Sequence, residues 1–336
     1  MPIKKKKVVV IGGGTGTYTT LIGLKKYPLD ISVIVSMTDS GGSNRVIRDE
    51  FGLLPTSDLR QVIVALASGR EESLLRKLFT YRYNMGVCIS GMTFGNLFMA
   101  ALSDILGSQE KALEETSKFL HVKGTILPVT FDNSQLVAKY DNGKQILCEH
   151  HIDEPNSEIG KRRIVQLTAF PPAVANPKAI KAILSADLII FSPGDLYTSL
   201  ISNLVIKGIP EAILKSKAKK VVYVMNLMTK FGQTNKFKAS DHLFEFYKYL
   251  KGGYVDYVLI NKVIKLSQFI KEKYKEERAS VVKDDLDFSN PTPKPKILRA
   301  DIISDLIYEK PKSDNLVRSL VRHDPVKLAK AIMSLI

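Results

Sequence analysis

At 336 residues and 45% hydrophobic content, the chain is long enough for one large or two ordinary domains and apolar enough for a genuine core. Its 49 lysines and arginines against 34 aspartates and glutamates leave a formal charge of +15, which favours an anionic partner such as a phosphorylated small molecule. No apolar run reaches the roughly 18 residues that a membrane helix needs, and the basic start Met1 to Lys7 passes into a strand without the small-residue site of a signal peptide. No membrane partner is expected, and the location expected is cytoplasmic.

The first element is the run Val8 to Ile11 in KVVVIGGGTGTY, β-branched throughout and readable as a strand buried on both faces. Gly12, Gly13, Gly14, Thr15 and Gly16 follow, and Leu21, Ile22 and Leu24 then mark a helix. A strand, a glycine turn and a helix leave backbone amides open at a helix N-terminus, where an anion is stabilised and no Cβ blocks its approach. A dinucleotide G-x-G-x-x-G would need Gly or Ala at Thr17 or Thr19, and a P-loop would need Gly-Lys at Thr17-Tyr18. The turn therefore reads as a phosphate cradle without fixing the cofactor, with a tight structural turn as the plainer alternative.

A second strand, Ser32 to Met37, leads into Thr38-Asp39-Ser40-Gly41-Gly42-Ser43. Asp39 lies 23 residues beyond Gly16 (39 − 16), near the offset of about 20 at which an acid meets a ribose hydroxyl in dinucleotide folds. It could equally open an Asx turn. Further along, Gly95 and Asn96 in SGMTFGN offer open amides ahead of the apolar helix Leu97 to Leu106.

Between about 121 and 170 the texture changes to short alternating pieces: Thr125 to Phe131, Gln135 to Tyr140, Gln145 to Glu149 and Ile164 to Phe170, with the turn Asp141-Asn142-Gly143 between two of them. These predict an antiparallel meander inserted at a sheet edge. The strand pattern then returns at Asp187 to Phe191, leading into Ser192-Pro193-Gly194-Asp195-Leu196-Tyr197-Thr198-Ser199, a second candidate phosphate or sugar loop or, alternatively, a helix capped by Asp195. Val221 to Met225 delivers Asn226 and the polar loop Met228 to Thr234, with Thr229 in it, and Val255 to Ile260 is another strand. The prolines of SNPTPKPK, 289–296, make a connector before a last strand near 297–303 and two short tail helices, the second capped by Asp324-Pro325.

Strands alternating with helices predict an α/β fold with a doubly wound, mostly parallel sheet, a single domain over 1–336 with the meander at 121–170 and the closing segment at 289–336. In such a sheet ligands bind beyond the carboxyl ends of the strands, where all these loops fall. No catalytic residue is assigned: H-E-x-x-H, G-x-S-x-G and Cys-His signatures are missing, and His150 and His151, read as strand residues, point to opposite faces. If a metal binds, Asp39 or Asp195 is its ligand. The lysines spread over stretches such as 215–220 and 271–275 without interleaved aromatics, so nucleic acid is not the expected partner. Cys88 and Cys148 sit in no C-x-x-C and read as buried small residues in a reducing compartment.

The ordered motifs IGGGTG, DSGGS, GMTFGN, SPGDLYTS, MNLMTKFGQT, SDHL and HDP, which run nearly end to end, resemble the bacterial gluconeogenesis factor family (YvcK-like) of the 2-phospho-L-lactate transferase (CofD-like) superfamily. The resemblance implies a Rossmann-like core that binds UDP-sugars such as UDP-N-acetylglucosamine, acting as a regulator needed for cell shape and wall-precursor supply on gluconeogenic carbon. It implies no required cofactor, although NAD or GDP would fit the same crevice and Mg²⁺ could accompany the phosphates; a homo-oligomer is compatible with it. It also places Tyr274 and Arg322 where that branch contacts its ligand, as a ring to stack on a base and a fork for a diphosphate. Three positions depart from the family pattern: Met92 stands for a usual His, Ser40 for a second acid after Asp39, and Gln233 for a usual Glu. Each removes a charge or a titratable group, which weighs against the alternative activity, metal-dependent transfer from a nucleotide donor.

Overall fold

Val8, Val9, Val10 and Ile11 are buried to within 2% of full exclusion from solvent, as a strand covered on both faces requires. The computed structural model describes residues 5–68, 72–86, 89–287, 295–305 and 319–335. Cys88, most of the proline connector and the first expected tail helix lie outside the described residues. Among the described residues the strands, in chain order, are β1 (Lys6–Gly12), β2 (Leu29–Val35), β3 (Thr125–Pro128), β4 (Gln135–Tyr140), β5 (Gln145–Leu147), β6 (Ile164–Phe170), β7 (Leu188–Phe191), β8 (Lys220–Val224), β9 (Tyr257–Asn261) and β10 (Lys296–Ala300).

Seven of them form one sheet in the order β10-β9-β8-β7-β1-β2-β3, and all six neighbouring pairs run parallel. This is the doubly wound, Rossmann-like arrangement expected from the alternating pattern. The chain winds outward from β1 in one direction through β2 and β3, then returns to β7 on the other side of β1. Between β1 and β7 lies the switch point, where the loops leaving the two strands part and open a crevice. The core is filled from β7 and β8 by Phe191 and Tyr223, which meet Phe246 of the helix Ala239–Tyr247 at centroid distances of 4.7 and 4.9 Å.

The antiparallel sheet is smaller than the sequence suggests. It holds β5-β4-β6, whereas Thr125 to Pro128, expected to belong to it, pairs parallel with β2 from Ser32–Thr125 to Val35–Pro128. Ile126, Leu127 and Pro128 are buried in succession, so this piece lacks the period-two exposure of a one-sided meander strand. The third expected strand also ends early. Cys148 adopts φ +78° after β5 and turns the chain into the short helix Glu149–Asp153, which places His150 and His151 on a helix and not on a strand. That helix brings the insert back over the main sheet.

Candidate functional site

The glycine turn after β1 is shaped by close approach more than by flexibility. Gly13 is the extended N-cap of the helix Gly14–Leu24 and carries no side-chain cap. A Cβ on Gly16 would lie 1.8 Å from the Pro193 carbonyl oxygen, so glycine here lets the loops after β1 and β7 touch. Gly14, at φ +64°, has nothing within 4 Å of its Cβ position and faces open space. Thr17 donates to the Gly13 carbonyl and shares a 2.6 Å hydrogen bond with Ser192, closing the seam between the two strands.

Carboxylates surround this turn. Asp58, at the start of the helix Ser57–Leu66, accepts from the Gly14 amide. Asp39 accepts from the Gly41 amide at 2.9 Å, the Asx turn foreseen as one reading of it, and from the Asn44 side chain at 2.5 Å. The short insert helix adds two more acids. Glu149 accepts from the Ser40 amide while Ser40 Oγ accepts from the His150 amide at 3.0 Å, so the position where a second acid is usual holds a serine that receives its carboxylate from the insert. Asp153 reaches Lys230 Nζ at 2.5 Å, and Asp195 meets the same ammonium at 2.8 Å.

Burial and mutual repulsion set the protonation of this cluster. Desolvation, with repulsion from Asp39, raises the Asp58 carboxyl to about 7. Burial also raises Asp39, against the Gly41 hydrogen bond, and raises Asp195, against the attraction of Lys230. Glu149 is pushed well above the usual range by burial and by Asp39. At Lys230 burial works to lower the pKa, but Asp195 and Asp153 outweigh it and the ammonium is held charged. A chain of net charge +15 thus lines this crevice with acidic side chains whose protons are held to higher pH than usual.

Beneath the carboxylates runs a polar scaffold. Asn44 Oδ1 accepts from the Thr56 and Ser57 amides and from Ser57 Oγ. Asn96 Nδ2 donates to Ser43 Oγ at 2.9 Å and Ser57 Oγ at 3.1 Å, and its Oδ1 accepts from Arg60. Thr93, not Asn96, caps the helix Phe94–Leu106. Gly95 is packed against Phe79 and Arg60. Asn44 and Asn96 hold the loops at 43 and 57 in place from below. We expect Asn96→Ala to cost about 2 kcal/mol, since it leaves buried partners unpaired, read as a lower denaturation midpoint; an unchanged midpoint would show that water replaces the amide.

The loops after β7 and β8 are cross-linked in the same way. Asn226 donates to the Gly194 carbonyl at 2.7 Å and accepts from its amide. Tyr197 is fully buried in the π-helical turn Leu196–Ile201, with its hydroxyl on the Ile164 carbonyl of β6. Thr198 donates to Asp153. Gln233 donates to Asp153 at 2.8 Å and accepts from the Tyr197 amide, a pair of contacts that suits an amide, since a carboxylate could not donate to Asp153. Thr229 is buried and bonded to Ser280. Met92, the other departure, is buried in a small apolar cluster with Ile47 and Ala100.

The candidate residues thus divide. Gly13, Gly14, Asp39 and Asp195 border the crevice with Gly41 and Gly42, and Gly12, Thr15, Gly16, Ser40, Ser43 and Ser199 lie in the same loops. Asn96, Tyr197, Thr229 and Asn226 are occupied in holding those loops, and Gly95 packs against Phe79 and Arg60. Tyr274 is 5% exposed and packs with Leu227, Ile270 and Val321, its hydroxyl bonded to Ser319 and to the Val321 amide. Arg322 donates to the Ser319 carbonyl. Sequence reasoning missed Asp58, Glu149, Asp153 and Lys230. Asp58 carried a signal: in PTSDL it begins a helix at the sheet's carboxyl edge, which reads as an ordinary dipole complement.

A protein-family comparison agrees with this architecture. The family described as 2-phospho-L-lactate transferase CofD matches residues 8–303. A Thermotoga maritima protein is 40% identical over 97% of this chain and 98% of its own length. The gluconeogenesis factor of Bacillus subtilis is 35% identical over 99% of both chains, and that of Halalkalibacterium halodurans is 37% identical over 98% of this chain and 97% of its own. A crystal structure of a Bacillus halodurans protein superposes with a TM-score of 0.87 at 33% identity, covering 98% of this chain and all of that one. The chain belongs to the CofD family, in its gluconeogenesis-factor branch. Among the described residues no helix is long and apolar enough to cross a membrane.

Proposed function

We propose that the crevice between β1 and β7 binds a nucleotide-sugar, with a UDP-sugar as the leading ligand, and that the chain is a cytoplasmic regulator acting through it on wall-precursor supply and cell shape. The observation that carries this is the glycine turn, where Gly14 has open space at its Cβ position and gives its amide to Asp58, whose charge neighbours are Asp39 and Asp195, with Glu149 in turn beside Asp39. A diphosphate alone would be repelled there. A divalent cation bound with the phosphates would remove the conflict. Among the described residues no three acidic, histidine or cysteine side chains converge closely enough to hold an ion by themselves, so ligand oxygens and water complete the shell, as Mg²⁺ commonly requires. Asp39 or Asp195 would supply a carboxylate to the ion, and the charge of neighbouring Asp58 would strengthen its hold.

Titration calorimetry with UDP-N-acetylglucosamine, UDP-glucose, GDP and NAD, each with and without Mg²⁺, tests the proposal. UDP-sugars are expected to bind best and only with Mg²⁺. Because Asp58 titrates at about 7, its proton competes with the cation, and affinity should weaken by up to about tenfold per pH unit below that value. Asp58→Asn should lose that pH dependence. Tight binding without Mg²⁺ at every pH would refute the bridging cation.

A second reading has its own support. A carboxyl at about 7 is poised to exchange protons near neutrality, as a transferase's general base must. Product formation from a nucleotide donor and a phospho-acid acceptor, lost in Asp58→Asn, would establish it.

A further inference from the structure

The crevice holds a cation that the nucleotide reading has not used. Lys230 follows β8 on the carboxyl edge of the sheet, and a third of its side chain stays open to solvent. Its ammonium lies 2.5 Å from Asp153 and 2.8 Å from Asp195. The two acids differ in origin. Asp195 stands in the loop after β7, beside the glycine turn, while Asp153 arrives from the inserted sheet at the end of the helix Glu149–Asp153.

Asp153 is tied at one oxygen, Oδ1, which accepts from Lys230, from Gln233 at 2.8 Å and from Thr198 at 3.2 Å. Three donors converging on one oxygen is how a site grips a phosphate oxygen, and all three stand on the loops after β7 and β8. Asp153 is therefore an internal anion seated in an anion's place. On the basis of the nucleotide reading above, we propose that Lys230, Gln233 and Thr198 form a phosphate-binding subsite and that Asp153 occupies it until the ligand's phosphate displaces it. Displacement frees the insert helix from the main sheet, so occupancy of the crevice changes how firmly β4, β5 and β6 are docked. Ligand binding would then be felt on the insert's outer surface, away from the site.

The test uses inorganic pyrophosphate with Mg²⁺ as the probe on the full chain. Asp153→Asn removes the competing charge and should tighten pyrophosphate binding by about tenfold, the effect of a competing state that holds the subsite roughly nine-tenths of the time. Lys230→Met should weaken it by at least as much, and in that background Asp153→Asn should have little further effect. If Asp153→Asn weakens binding as Lys230→Met does, Asp153 positions the lysine and the competition is refuted. A measurement on the wild type guards against misfolded variants: hydrogen exchange at the amides of 149–153 should speed up on adding pyrophosphate, and unchanged exchange with pyrophosphate bound refutes displacement. A wild type that binds neither pyrophosphate nor any UDP-sugar overturns the site reading itself, and the subsite with it.

Discussion

Gly16→Ala should lower stability by about 3 kcal/mol, at the upper end of what overpacking costs, and should also disable ligand binding. The methyl group would sit 1.8 Å from the Pro193 carbonyl oxygen. Relief by a rotamer change is not available, because the obstacle is backbone. The loops after β1 and β7 must move apart, and the Thr17–Ser192 hydrogen bond across the seam goes with them. Gly14→Ala is the control. Its Cβ meets nothing within 4 Å, so the cost is that of a non-glycine residue at φ +64°, about 1 kcal/mol. Unfolding free energies from denaturant curves of the two variants should therefore differ by about 2 kcal/mol. Equal midpoints would mean that the seam is more pliable than its geometry implies.

The second large effect is on acid stability. His242 is fully buried with neither ring nitrogen hydrogen-bonded, and His323 is 7% exposed with Nε2 unpaired. Burial depresses both from 6.5 to about 4, with Asp241 pulling His242 the other way and the Met225 backbone doing so at His323. The native protein therefore keeps both rings neutral while the unfolded chain takes up protons below 6.5, so stability falls as the pH drops through that value toward 4. From pH 7 to 5 each ring should cost about 2 kcal/mol. The raised carboxyls Asp39, Asp58, Glu149 and Asp195 act in the opposite sense, since the folded state holds their protons longer. His242→Phe isolates one contribution: the variant should lose about 2 kcal/mol less than wild type over the same range. An identical slope in the two proteins would place a charged or hydrogen-bonded imidazole in the native state.

How much of this was legible in the sequence depends on whether the signal was local. Val8 to Ile11 and Gly12 to Gly16 are contiguous, and their strand, turn and helix start follow from steric and hydrogen-bonding rules acting over a few residues. The parallel sheet follows in the same way from repeated β-branched runs. Thr125 to Pro128 was misplaced because strand partners are chosen by tertiary burial, and its neighbour β2 lies some ninety positions away. The carboxylates escaped for a related reason. Asp58, Glu149 and Asp153 sit in unremarkable helix starts and ends; the return of the insert over the sheet brings Glu149 and Asp153 to Asp39 and Asp195, while Asp58 comes from the helix Ser57–Leu66. Tyr274 carries a further lesson: its ring packs among apolar side chains and its hydroxyl holds the segment at 319–321, roles that a motif match does not distinguish from contact with a ligand.

The position of β1 inside the sheet, between β7 and β2, also fixes when the crevice can exist. Thr17 and Ser192, which close it, are separated by 175 positions, and synthesis of β2 and β3 is complete long before β7 leaves the ribosome. Until then β1 presents an open strand edge with no partner on its β7 side, and closing so long a loop is entropically slow. The crevice is thus among the last features to form, and the proposed ligand would find its site only when the two halves of the sheet have joined.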